Sequence, residues 1–110
     1  MRMLMKVNIP VEVGNKAVWD GTLGKTIQQI LQAQRPEAAY FVADSGQRCG
    51  YLIVNLESET KIPALAEPWF LAFNAAIEFS PAMKPEDLQQ ASGDIESCAK
   101  TYGQEPVAAR

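Results

Sequence analysis

The sequence predicts an α+β domain in the order strand, helix, strand, strand, helix, strand, and three observations predict it. Apolar and polar residues alternate from Met3 to Ile9, the period of a strand with one greasy face. Two apolar runs, EAAYFVA and RCGYLIVNL, flank the turn sequence DSGQ and read as a hairpin. Apolar residues recur at helical spacing at Leu23, Ile27, Ile30 and Leu31, and again at Leu65, Trp69 and Phe73.

The first strand presents Met3, Met5, Val7 and Ile9 on one face and Leu4, Lys6 and Asn8 on the other, and Pro10 ends it. Asn15 is the expected N-cap of the first helix. That helix runs to about Gln34, because Pro36 pushes Arg35 out of helical geometry. Gly21 and Gly24 cost it up to ~1 kcal/mol each relative to Ala, so an irregular front turn is expected. After the hairpin, ESET offers Ser58 or Thr60 as the cap of a second helix. Its buried stripe is Leu65, Trp69 and Phe73, flanked by Ala66 and Phe70. Pro63 suits a first turn, whereas Pro68 is expected to kink or split the helix. AAIEFSPAM supplies the fourth strand, ended at Pro81. In KPEDLQQ, Pro85 opens a short third helix whose dipole favours Glu86 and Asp87. Residues 92–110 read as a polar tail beyond a domain of residues 1–91, with a short helix expected around Ile95 to Tyr102.

Two split βαβ halves of this kind make a ferredoxin-like sandwich, with both helices on one face of an antiparallel sheet of order 4-1-3-2. The other face of such a sheet should be polar. Here AAYFVA and CGYLIV are apolar on both faces, a patch that monomers rarely leave open. A second copy of the chain is the expected cover, and Leu52→Asp or Val54→Asp is expected to break either the fold or that dimer. Lys6 and Glu78 fall on neighbouring strands, where they either pair across the sheet or stand as two solvated charges.

Composition narrows the partners. A chain of 110 residues buries a real core without staples. Its net charge is −3 and its basic residues form no run, which argues against nucleic acid. No apolar run nears the ~18 residues of a membrane span. The opening MRMLMKVNIP is interrupted by Lys6 and Asn8 and is no signal peptide, so a cytoplasmic location is the default. There Cys49 and Cys98 read as free thiols. No histidine is present, which removes Ser-His and Cys-His nucleophile schemes. With no CxxC either, no metal or cofactor is expected. The segment WDGTLGKT carries the second half of a phosphate loop, but Trp19 stands where the first glycine is needed, so it reads as helix.

The stretch YLIVNLESETKIPALAEPWFLAFNAAIEFSPAMKPEDL leads a greasy strand through an acidic turn into an aromatic helix and then a strand ending in SPAMKPEDL. In this, over roughly residues 1 to 91, the chain resembles the dimeric α+β-barrel superfamily. That group includes muconolactone-isomerase-like proteins, cofactor-independent antibiotic-biosynthesis monooxygenases and many small uncharacterised proteins. The resemblance implies subunits packed sheet against sheet, and apolar pockets with Trp, Tyr and Asn groups but no metal or flavin.

The candidate ligand set is Asn8, Tyr40, Arg48, Tyr51, Trp69 and Phe73, which would line a pocket between helices and sheet suited to a flat apolar molecule. The alternative is that the aromatics are core. Candidate catalytic residues are Glu78, Asn74 and Tyr51; without histidine, an isomerase would need Glu78 or Lys6 as its base. Asp20 and Glu67 are further acids with apolar neighbours. Three readings follow: a homodimer that binds a small apolar or aromatic metabolite, a cofactor-independent monooxygenase or isomerase acting on an aromatic or lactone substrate, and an accessory dimer with no ligand.

Overall fold

A computed structural model describes residues 1–103. The strands are β1 (Arg2–Ile9), β2 (Ala38–Asp44), β3 (Gln47–Asn55) and β4 (Ala76–Pro81). The helices are α1 (Val11–Trp19), α2 (Leu23–Gln34), α3 (Ile62–Phe73), α4 (Pro85–Gln90) and α5 (Ser92–Tyr102), with a 3-10 turn at Glu59–Lys61 before α3. One antiparallel sheet has the order β2-β3-β1-β4, which is the expected 4-1-3-2 read from the other edge and is consistent with a ferredoxin-like fold. Among the described residues no helix is long and apolar enough to cross a membrane.

The alternation in β1 decides which face is covered. Met3, Met5, Val7 and Ile9 are buried, as are Leu52 and Val54 on β3, and they meet Ile30 of α2 and Leu65, Trp69 and Phe73 of α3. The hairpin turn is Ser45-Gly46, both with positive φ (54° and 77°), the two-residue loop whose twist matches the strands.

The expected single first helix is two helices. Asn15 does not cap anything: α1 begins directly after Pro10, which sits at its N-cap, and Asn15 lies within it. Gly21 has φ +72°, its N–H donates to the Val18 carbonyl at 3.0 Å, and the Thr22 N–H reaches the Ala17 carbonyl at 2.9 Å. That pair of bonds is a Schellman stop, which a residue free to adopt positive φ makes cheap. GTLGKT is therefore the end of one helix and the start of the next.

Pro68 does not split its helix either. Proline has no N–H, so the carbonyl four residues back, that of Ala64, loses its helical donor. Gln34 replaces it: its Nε2 donates to the Ala64 carbonyl at 3.3 Å and to the Leu65 carbonyl at 2.8 Å, while its Oε1 accepts from Trp69 Nε1 at 3.2 Å. Neither Ser58 nor Thr60 caps α3; they bond each other at 2.6 Å. Gln34→Ala is expected to cost about 1–3 kcal/mol, because it leaves the buried indole N–H and a helix carbonyl without partners. Urea denaturation of the two proteins measures it.

The tail helix is longer than expected. It starts at Ser92, and every residue from Ser92 to Gly103 is exposed. The remainder of the expected tail, 104–110, lies outside the described residues.

Candidate functional site

Register sorts the candidate residues onto two faces. On the open face, away from the helices, cross-strand partners line up in rows: Tyr40, Tyr51, Lys6 and Glu78 form one, Val42, Cys49, Asn8 and Ala76 the next, and Ala38, Ile53, Leu4 and Ser80 flank the first on its other side. Four candidates, Asn8, Tyr40, Tyr51 and Glu78, thus share this face. Arg48 does not. It pairs with Ile9 and Ala43 at the hairpin end of the helix-facing side.

The centre of the open face is a closed polar cluster. Lys6 lies opposite Glu78 in register, yet its ammonium turns the other way, 5.8 Å above the Tyr51 ring, and pairs with Asp44 Oδ2 at 3.4 Å. The expected alternatives for Lys6 and Glu78 are replaced by a third arrangement. Asp44 is the better partner because it also accepts the Tyr51 hydroxyl and that of Ser45. Those bonds, Tyr51 first, hold the Asp44 carboxyl below its ordinary range, and the bond to Asp44 raises both Lys6 and Tyr51. The sign follows. The contribution of Asp44 is present above the ordinary carboxylate range and is lost as pH falls through its lowered value. That of Lys6 is present below the ordinary amine value and is lost as pH rises through its raised one. Burial, its first cause, pushes the Cys49 thiol up. In an absorbance titration of the three tyrosines, Tyr51 is expected to ionise above the ordinary phenol value, and Asp44→Asn to bring it back down.

The other candidates have structural placements. Trp69 is 0% exposed and Phe73 2%, with ring centroids 6.2 Å apart. Both are core, and the Trp69 N–H is engaged by Gln34. Asn74 adopts φ 50° and ends α3, its N–H donating to the Phe70 carbonyl at 2.9 Å. It is a helix stop, and none of its described bonds joins it to Tyr51 or Glu78. Glu78 is exposed.

On the helix side lies a groove of about 380 Å³ between α2 and the β2–β3 hairpin, lined by Ile9, Leu23, Ile27, Phe41, Ala43 and Arg48, and also by Val42 and Cys49, the strand residues whose register belongs to the open face. Two glycines shape it by lacking a side chain. The Phe41 ring lies over Gly50, where any Cβ would come within 3.0 Å of Phe41 Cε1. The Arg48 side chain crosses Gly14, where a Cβ would stand 2.6 Å from Nη1, and Nη1 donates to Asn15 Oδ1 at 3.0 Å. Sequence reading named Arg48 but missed Phe41, Leu23 and Ile27 as its neighbours. The available signal was the glycine within each of GYLIV and VEVGN.

A concavity of similar size, about 360 Å³, lies around Arg2, Arg35, Glu37 and Asn55. Its best-placed cation is already engaged, since Arg2 pairs with Glu37 at 2.8 Å and with Asp87 at 3.8 Å.

No family model matches the chain, and a search of curated proteins finds no match. Among solved structures, it is similar to a formyltetrahydrofolate deformylase from Pseudomonas putida KT2440, at 16% identity and a TM-score of 0.47. That likeness covers 94% of this chain but 39% of the deformylase chain, so this chain spans about two fifths of that protein's length.

Proposed function

We propose that the chain acts as a sheet-to-sheet homodimer, a dimeric α+β barrel, in which each copy binds a small apolar or aromatic molecule in the groove between α2 and the hairpin. The groove carries the reading. Its volume of about 380 Å³ falls in the range of small-molecule sites, and its wall is apolar except at Arg48 and Cys49. Phe41, a large aromatic beside the core, stays 48% exposed on that wall.

Self-association is supported by the open face. Leu4, Val42 and Ile53 lie there without a cover, around Tyr40, which is 67% exposed. The Lys6, Tyr51 and Asp44 cluster satisfies its own charges at the centre of that face, so a second sheet laid over the cluster strands none of its ions, while Glu78 stays exposed on the edge strand β4.

Binding without turnover is favoured over catalysis by one observation. Glu78, Asn74 and Tyr51, the candidate catalytic residues, are all absent from the groove wall, and no carboxylate lines it. The groove therefore has the means to hold a molecule and lacks a placed base to transform it.

Native mass spectrometry of the full chain tests both halves. A dimer carrying a discrete passenger is expected, and Ala43→Trp, which fills the groove from an exposed position, is expected to lose the passenger and keep the dimer. A passenger that survives Ala43→Trp would place the site elsewhere. A monomer would remove the barrel, and a passenger that the protein converts on incubation would replace binding with catalysis.

A further inference from the structure

The groove's one charged wall residue says what kind of molecule fits. We infer that the ligand is an amphipathic anion, an apolar or aromatic body bearing a carboxylate or a similar acidic group, and that Arg48 reads the charge. The inference deepens the proposed function and rests on the groove being the binding site.

Arg48 is half-buried at the end of an apolar wall, flanked in register by Ile9 and Ala43. Among the described residues no carboxylate lies within ion-pair distance of it; the four pairs found involve Arg2 twice, Lys6 and Lys16. Its protein partner is the amide oxygen of Asn15, which is neutral. That bond uses one of the five N–H groups of the guanidinium and holds the planar fork in place without cancelling its charge. Gly14 contributes by letting the Arg48 side chain approach α1 closely, where any Cβ would collide with it. Arg2 provides the contrast, since its Nε and Nη2 both donate to Glu37 at 2.8–3.3 Å and little is left for a ligand.

An oriented cation beside an apolar wall, with most of its donors free, complements a carboxylate in both charge and geometry. A neutral molecule would leave those donors unmatched, and a cationic one would be repelled. The direction of entry also follows. The acid group lies toward α1, where Arg48 and Asn15 meet, and the apolar body lies along Leu23, Ile27 and Phe41.

Two fluorescent probes that share a ring system test this. One is 8-anilinonaphthalene-1-sulfonate, which carries an anionic group; the other is N-phenyl-1-naphthylamine, which lacks it. The full chain is expected to bind the anionic probe about tenfold more tightly, the usual worth of a charge-assisted hydrogen bond. Arg48→Met is expected to abolish that preference while leaving the neutral probe's affinity within about twofold. Added salt is expected to weaken the anionic probe alone, a measurement on the unaltered protein that holds whether or not Arg48→Met folds. Equal affinity for the two probes, or a preference that survives Arg48→Met, would overturn the inference. Ala43→Trp separates that failure from failure of the site itself. If both probes bind Ala43→Trp undiminished, they sit elsewhere and the groove reading falls with the inference.

Discussion

Leu52→Asp is expected to leave no cooperatively folded protein. Leu52 is 0% exposed on the helix-facing side of β3, between Met5 on β1 and Ala39 on β2. A carboxylate there loses its hydration and finds no cation among the surrounding core residues. Burying an unpaired charge belongs to the few mechanisms that cost more than about 4 kcal/mol. The whole stability of a domain is about 5–15 kcal/mol, so one such group is enough. Far-ultraviolet circular dichroism with a urea titration reads the result. A native-like transition in Leu52→Asp would mean that β3 is paired in another register, since a shift of one residue exchanges its faces.

Ile53→Asp, one residue further along the same strand, is expected to behave oppositely. Ile53 faces the open side between Ala38 and Leu4, so in a single copy the new carboxylate reaches water and the fold survives. In the proposed sheet-to-sheet dimer the same carboxylate would be buried in each copy. An uncompensated buried charge costs about 3–5 kcal/mol, so dimer affinity should fall at least about a hundredfold. Sedimentation across a concentration series measures it. A folded Ile53→Asp protein that stays dimeric would exclude pairing through this face. The two neighbours divide what the sequence had left joined, because Leu52 and Val54 both face the helices and report on the core alone.

The backbone order was legible because it rests on local patterns. The alternation in β1 became strict alternation of buried and half-buried residues, and the stripe Leu65, Trp69 and Phe73 became core. What stayed hidden depended on distant partners. Pro68 predicts a broken helix only while Gln34 is unknown, since the two are far apart in the chain and meet through a side-chain amide. Lys6 was matched to Glu78 by register, which is right for the backbone. Its choice of Asp44 depends on the hydroxyls that gather at the hairpin. The candidate site was half legible for a similar reason. Aromatic identity marked Tyr40, Tyr51, Trp69 and Phe73 together, but only the sheet's register separates the open-face tyrosines from the core pair and puts Arg48 on the opposite side.

The amide of Gln34 also bears on the order in which the molecule assembles. It stands at the last position of α2 and completes the bonding of α3, which belongs to the second half of the chain. Undocked, the Ala64 carbonyl has only water as a donor, and it gains its protein donor when α2 is wound to its end and docked beside α3. The two halves are therefore tied through this amide as well as through the sheet. In hydrogen exchange, the amides around Pro68 and those of the last turn of α2 should open together, as one cooperative element spanning both helices.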